Sequence, residues 1–252
     1  MSSVALTSTG AAANATVAGS TYPIVPSAAT GTRLGDYAIT YVNGALTVTT
    51  APLTVTATNQ SKIFGTAFSF AGTEFTTSGL LLTDTVTSAT FSSTGAPAGA
   101  AAGTYPIVPS AAVGTGLANY TVSYVNGTMT VGKPVITVTA SSAAVTYGDP
   151  KPVITPSYTG FVNGDTSAVI TTAPTCTTAY TTTSAPGTTP TTSCSGAVAA
   201  NYTFAYVNGT VTIGQKAAVV NAGSGTKIYG AADPTLTTTT TGFLATDLSG
   251  IT

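Results

Sequence analysis

The chain of 252 residues carries very little charge, with six basic and seven acidic side chains that together make up 5% of the whole. A net charge of -1 leaves no basic surface for nucleic acid or an anionic membrane, and the lack of His removes the commonest general base and transition-metal ligand. Hydrophobic residues reach 43%, which is enough to build cores, and no apolar run approaches the roughly 20 residues of a membrane helix. The start of the chain shows neither the basic nor the apolar region of a signal peptide.

A tyrosine-rich segment recurs three times along the chain. Residues 36–44 (DYAITYVNG) return at 119–127 (NYTVSYVNG), 83 positions on, and at 201–209 (NYTFAYVNG), 82 positions further. Other landmarks keep the same period: Phe64-Gly65, Tyr147-Gly148 and Tyr229-Gly230. A fixed period of this length is typical of a chain built from tandem copies of one module.

Each copy of this segment is predicted to form a β-hairpin, because Asn-Gly favours the two-residue type I′ turn. In the first copy the pairing sets Tyr41 opposite Leu46 and Ile39 opposite Val48. One face is then apolar or aromatic in every copy, and that face is predicted to point into the core. The predicted core residues are Tyr37, Ile39, Tyr41, Tyr120, Val122, Tyr124, Tyr202, Phe204 and Tyr206.

The strand that opens each repeat also alternates apolar residues with Thr, as in Leu53, Val55 and Ala57. Helical periodicity is missing, and turn residues separate short β-branched runs. The prediction is an all-β chain of tandem Ig-like antiparallel β-sandwich modules of about 82 residues in an elongated array. Short junctions between modules favour a semi-rigid rod.

The period also predicts the domain boundaries. Complete modules are expected at 50–131 and 132–213, with the C-terminal half of a module at 1–49 and the N-terminal half at 214–252. The halves are interpreted as the ends of a piece cut from a longer array. As an alternative, the head and tail of different molecules complement one another and grow filaments.

Both cysteines, Cys176 and Cys194, lie in the second complete module, 18 positions apart. A pair confined to one module favours a local disulfide between two strands, and with it an oxidising compartment. Two free buried thiols are the alternative. A zinc site would need more ligands than this chain offers.

The ordered combination of several motifs resembles the MBG ("mostly bacterial Ig-like") domain family. These motifs are Tyr147-Gly148-Asp149-Pro150, Gly160-Phe161-Val162-Asn163-Gly164-Asp165, Gly103-Thr104-Tyr105-Pro106-Ile107 and the closing Asn-Gly segment. The resemblance covers nearly the whole chain, although the first complete module has Phe64-Gly65-Thr66-Ala67 without the Asp-Pro. It implies tandem modules of long bacterial secreted or surface proteins, often with filamentous haemagglutinin-type parts elsewhere, and no enzyme activity.

No catalytic, cofactor or metal site is predicted. Acids such as Asp149, Asp165, Asp233 and Asp247 are expected to cap turns, and one or two per module are too few for calcium. A carboxylate pair for glycoside hydrolysis would require Asp149 and Asp165 to face each other.

The leading functional hypothesis is a stalk or spacer within a bacterial secreted or cell-surface adhesin, whose partners are the neighbouring modules of the same chain. The alternative is an adhesive module that recognises a glycan or host protein through loops such as 160–166 or 183–190. Neither nucleic acid nor membrane insertion is expected, and the predicted location is extracellular.

Overall fold

The computed structural model describes residues 1–248, and these fold as two units, Met1–Gly132 and the residues from Lys133 onward. The chain is all-β, and the helices among the described residues are three-residue 3-10 turns. Among those residues there is no helix with the length and apolar character needed to cross a membrane.

In the first unit the strands follow one another closely. They are β1 (Ser3–Thr7), β2 (Tyr22–Thr30), β3 (Gly44–Leu46), β4 (Ala51–Ala57), β5 (Gln60–Ile63), β6 (Phe75–Ser78), β7 (Thr85–Ser92), β8 (Gly103–Thr115), β9 (Tyr120–Val125) and β10 (Gly127–Gly132). The 3-10 turns are Thr9–Ala11, Val17–Gly19, Leu34–Asp36 and Leu117–Asn119.

Residues 51–132 form a sandwich of two sheets. One sheet has the strand order β6-β4-β9, and the other has the order β5-β10-β8-β7. β4 contacts β8 and β10 across the sandwich. Leu53 and Val55 from one sheet and Ile107 and Met129 from the other are fully buried, so the alternation seen in the sequence does mark the core face of β4.

In this sandwich the strands nearest the two ends of the module pair in parallel. β4 runs beside β9 with Ala51 opposite Tyr120, and β5 runs beside β10 with Gly132 opposite Ile63. The remaining pairs of the sandwich are antiparallel. The all-β Ig-like sandwich is therefore confirmed, while its sheets are mixed, because alternation reports the buried face of a strand but not the direction of its neighbour.

The predicted Asn-Gly hairpin is wrong. β9 and β10 belong to different sheets, so the chain switches sheets at Asn126 instead of turning back on itself. Neither Asn126 nor Gly127 has the positive φ that a type I′ turn needs. Glycine is needed at position 127 because the backbone of Ala57 approaches it closely. A Cβ atom there would lie 2.7 Å from the carbonyl oxygen of Ala57. Asn59 stabilises the chain where it changes sheets, because its Oδ1 accepts a hydrogen bond from the Thr128 N–H at 2.8 Å.

The second unit opens with a module built from the same plan. Its strands are β11 (Val135–Ala140), β12 (Ala143–Thr146), β13 (Pro156–Thr159), β14 (Ile170–Thr172), β15 (Thr175–Thr178), β16 (Thr191–Ser195), β17 (Val198–Ala199), β18 (Thr203–Val207) and β19 (Gly209–Gly214), with a 3-10 turn at Ser167–Val169. The sheets are β13-β11-β18, β12-β19-β16-β15 and the short pair β14-β17. β11 pairs in parallel with β18, and β12 with β19, which repeats the arrangement of the first module.

Two half-sheets flank the complete modules, each within its own unit. Residues 1–49, here called the head, hold the sheet β1-β2-β3. The described residues after 214, here called the tail, hold β20 (Val219–Ala222) paired antiparallel with β21 (Thr238–Thr241), followed by a 3-10 turn at Ala245–Asp247.

The predicted tyrosine core is confirmed in part. Tyr120 and Tyr202 are 7% and 3% exposed, and Val122 and Phe204 are half-buried. Tyr124 and Tyr206, at 39% and 37%, are not core residues, because they lie at the end of the strand just before the sheet switch.

In the head the same prediction is wrong for all three residues. Tyr37, Ile39 and Tyr41 are 72%, 43% and 44% exposed. In a complete module the equivalent residues form a strand that pairs with β4 or β11, whereas residues 37–42 belong to no strand.

Candidate functional site

The most regular polar arrangement in the chain is a tyrosine hydroxyl held by an aspartate turn. In the first module the Tyr120 hydroxyl donates to Asp84 Oδ2 at 2.9 Å and accepts from the Leu81 N–H at 2.9 Å. The second module repeats this, with Tyr202 donating to Asp165 Oδ2 at 2.7 Å and accepting from the Val162 N–H at 3.2 Å. The feature is named the Tyr–Asp corner.

Local turns position the aspartates of both corners. The Asp84 N–H donates to the Leu81 carbonyl at 3.2 Å, and the Asp165 N–H donates to the Val162 carbonyl at 3.0 Å. Burial and the adjacent carboxylate raise the pKa of the Tyr202 hydroxyl, outweighing the backbone hydrogen bond from Val162 that lowers it. Asp165 therefore does more than the sequence predicted. It lies in a turn, as expected, and its side chain also accepts a hydrogen bond from a tyrosine.

The tail contains the third aspartate of the series, Asp247, in the same turn geometry, with its N–H donating to the Leu244 carbonyl at 3.0 Å. Here the carboxylate accepts from Tyr147 of the preceding module, and that hydrogen bond, with burial, raises the pKa of Tyr147. Asp247 is thus held by a different tyrosine from its two counterparts.

A second tyrosine in each copy binds backbone rather than carboxylate. The hydroxyls of Tyr41, Tyr124 and Tyr206 accept from the N–H groups of Ala29, Ala112 and Ala197 at 2.9, 2.9 and 2.8 Å. In the first module this contact joins β9 to β8 of the opposite sheet, and in the second it joins β18 to the loop between β16 and β17. In the complete modules the tyrosines named from the sequence therefore serve structure, because their hydroxyls are satisfied by the protein.

The other acids are engaged locally. Asp149 Oδ2 accepts from the Thr146 N–H at 2.7 Å, which is the turn cap predicted from the sequence. Glu74 accepts from the N–H groups of Ala71, Gly72 and Thr73 at 2.7, 2.9 and 3.0 Å. Burial alone would raise the pKa of Glu74, but these backbone hydrogen bonds outweigh it and lower that pKa.

Lys62 is the buried cation of the first module, at 9% exposure. Its Nζ donates to the carbonyl oxygens of Thr66 and Pro97, so it ties β5 to the loop before β8. Burial lowers its pKa. Carbonyl acceptors of this kind indicate a structural cation.

Cys176 and Cys194 form a disulfide, as the sequence predicts, and they are directly opposite one another on β15 and β16. The bridge lies within one sheet of the second module. Among residues 1–248 there is no cluster of three His, Cys, Asp or Glu side chains that would hold a metal ion.

A cleft of about 540 Å³ lies within the second unit, where its complete module meets the tail. Tyr147 and Phe243 supply aromatic rings, Asp247 and Lys216 supply charge, and Pro186 contributes from the loop 183–190. Aromatic faces beside a few polar groups are the composition of many ligand-binding clefts.

Two sandwiches of the same plan in tandem, each with a tyrosine-bearing strand paired in parallel with its first strand and each with a Tyr–Asp corner, define a tandem Ig-like repeat protein. The sequence model of the MBG domain (YGX type) matches residues 53–130 and 136–212, and the chain belongs to this family. The predicted resemblance is thereby confirmed. Among curated proteins no relative matches the chain significantly. Tandem MBG domains are structural modules, and they indicate a repeat segment of a bacterial surface protein.

Proposed function

We propose that this chain is a stalk or spacer segment of an extracellular, adhesin-like bacterial protein of the filamentous haemagglutinin kind. Modules at 50–131 and 132–213 bear load in this proposal, and 1–49 and 214–252 are half-modules. The supporting observation is the parallel pairing of the strands at the two ends of each module.

That pairing determines how a module responds to tension applied along the chain. The chain comes into the first module at Ala51, beside Tyr120, and leaves it at Gly132, beside Ile63. Tension along the chain therefore pulls paired strands past each other along their axes. Their ladder hydrogen bonds carry the load together instead of opening one at a time. Forced unfolding depends on this kinetic barrier and not on the equilibrium stability alone.

Single-molecule stretching of the whole chain between its two termini tests the proposal. Two resisting events are expected, one for each complete module. The second module should release less length, because its disulfide locks 18 residues, which corresponds to roughly 60 Å of extended chain. A reducing agent should abolish this difference.

A change of pulling direction provides the matched control. Handles on cysteines that replace Pro52 and Thr121 would separate two exposed residues that are register partners on β4 and β9. That geometry opens the same pair from one end, so unfolding should need much less force. Equal forces in the two directions would contradict a load-bearing role for the parallel pair.

The cleft of the second unit favours a second candidate function, adhesion to a glycan. It brings together the loop around Pro186 and residues 242–247, which are the counterpart in the tail of the loop 160–166. A sugar ring would stack on Phe243 or Tyr147. Binding of the whole chain to a glycan array, lost in Phe243→Ala and kept in Phe161→Ala, is the result that supports this candidate. An array without signal would count against it.

A further inference from the structure

In the first unit the head and the first complete module are joined by a specific contact as well as by the chain itself. The Val17 N–H of the head donates to Asn119 Oδ1 of the module at 3.0 Å, across 102 positions of the chain. Both residues are half-buried. The 3-10 turns that contain them, Val17–Gly19 and Leu117–Asn119, contact each other. The place where the head and the module meet is called the junction.

The residues that connect the head to the module, 47–50, are held on both sides of the junction. The Val48 N–H donates to Ser20 Oγ of the head at 2.9 Å. The Thr50 hydroxyl lies 2.7 Å from the Thr121 hydroxyl on β9 of the module. Rotation within this connection is therefore confined to the backbone between the two anchored residues.

The Tyr–Asp corner of the first module lies at the junction. A cleft of about 160 Å³ is lined by Asp84 and Tyr120 on the side of the module and by residues 13–15 on the side of the head. Asn119, which accepts from the head, directly precedes Tyr120, which donates to Asp84. The residues that hold the corner together are thus continuous with the surface that contacts the head.

The second unit repeats this placement between its complete module and the tail. The turn that ends at Asp247 is the counterpart of the turn that ends at Asp84, and it lies against the complete module. Asp247 accepts from the Tyr147 hydroxyl, and a Cβ atom on Gly148 would lie 2.7 Å from Leu244 Cδ2. In both units the aspartate turn therefore faces the part of the chain that comes before it.

We propose that the turns ending at Asp84 and Asp247 are docking surfaces for the repeat that precedes each of them, and that Asn119 fixes the junction of the first unit. The partner that Asn119 recognises is a 3-10 turn that presents a backbone N–H to its amide oxygen. The inference rests on the proposed stalk function and deepens it. It adds that an array of these repeats keeps the angle between neighbours through side chains of the modules, besides the shortness of the connection.

Spin labels on both sides of the junction test the proposal in the whole chain. Cysteines that replace Ser27 of the head and Ser92 of the module, both exposed, carry the labels, and the two native cysteines are already bridged. The unmodified junction should give one narrow distribution of distances between the labels. Asn119→Ala should add a broad component, because one hydrogen bond shifts the balance between a closed and an open junction by about fivefold. Asn119→Asp keeps an oxygen acceptor and should keep the narrow distribution.

A change on the other side of the same hydrogen bond provides the second test. Val17→Pro removes the N–H at the first position of a 3-10 turn, after an extended Thr16, where proline fits the backbone. It should broaden the distribution as Asn119→Ala does, and the two changes together should broaden it no further, since both remove one bond. Val17→Ala keeps the N–H and is the matched control, with a narrow distribution expected.

The outcomes separate the junction from the stalk. A distribution that is already broad in the unmodified chain, or one that neither Asn119→Ala nor Val17→Pro changes, would overturn the docking proposal even if the modules resist stretching. A narrow distribution that responds to both changes would support it, and low unfolding forces would then count against the stalk proposal alone. Because Val17→Pro changes only the head, broadening in that variant is not explained by an unfolded first module.

Discussion

Replacing Tyr202 with Phe removes one hydroxyl from the interior of the second module and leaves the ring in place. That hydroxyl lies on a side chain that is 3% exposed and contacts a carboxylate at 2.7 Å. Its loss leaves Asp165 Oδ2 and the Val162 N–H without their partner in a site where water has little access. A hydrogen bond to a charged group contributes about 1.5–3 kcal/mol. Since about 1 kcal/mol moves the midpoint of a domain this small by roughly 4–8 °C, we expect a fall on the order of 10 °C.

Tyr206→Phe is the matched control, four residues further on and within β18, which Tyr202 directly precedes. Its hydroxyl accepts from a neutral N–H at a 37% exposed position, so water can replace the bond and the cost should be well under that of Tyr202→Phe. Differential scanning calorimetry of the whole chain measures both. The second module is recognised as the transition that moves when its disulfide is reduced. Equal shifts for the two variants, or no shift for Tyr202→Phe, would refute the energetic role of the Tyr–Asp corner.

Four further measurements test other parts of the structure. Replacing Cys176 and Cys194 with Ser should cost the second module about 3 kcal/mol of unfolding free energy, because the bridge restricts an 18-residue separation in the unfolded chain; an unchanged melting temperature would contradict this. Gly209→Ala should destabilise by about 1–3 kcal/mol, because its Cβ would lie 2.7 Å from the Ala140 carbonyl oxygen, whereas Gly214→Ala, whose nearest neighbour is 3.8 Å away, should be tolerated in the same urea titration. The raised pKa values of the corner tyrosines mean that the unfolded chain releases protons first, so stability should hold below about pH 10 and decline above it, less steeply in Tyr202→Phe; a flat alkaline profile argues against this. The fragment 50–213 should melt as cooperatively as the whole chain, and loss of that cooperativity would move the predicted module boundaries.

The period and the alternation in the sequence predict which residues open each module and which of their faces is buried. Leu53 and Ile136 are fully buried at equivalent places, as that alternation requires. Those patterns depend only on the local geometry of a strand, which is the same whichever strand lies beside it. The neighbour of a strand is a tertiary property, so the parallel pairing of β4 with β9 could not be predicted from alternation.

The Asn-Gly error has the same origin. Asn-Gly between two alternating runs is the usual mark of a hairpin, and the sequence gives no sign that the two runs belong to different sheets. The requirement for Gly127 comes from the Ala57 carbonyl, which is 70 residues away in the chain. Only the folded arrangement brings these two groups together.

The Tyr–Asp corner, by contrast, leaves a signal in the sequence. Asp84 precedes Tyr120 by 36 residues and Asp165 precedes Tyr202 by 37. Both members recur with the repeat, so their near-constant separation is compatible with a contact. Local patterns predict a turn cap for the aspartate and a core position for the tyrosine, but they do not predict the hydrogen bond between the two side chains.

The strand that opens a module and the strand just before its last one are neighbours in space. Because β4 and β9 lie side by side in parallel, tension applied to the ends of the first module shears this pair instead of opening it from one end. The second module has the same arrangement in β11 and β18, so both modules are expected to resist extension in the same way.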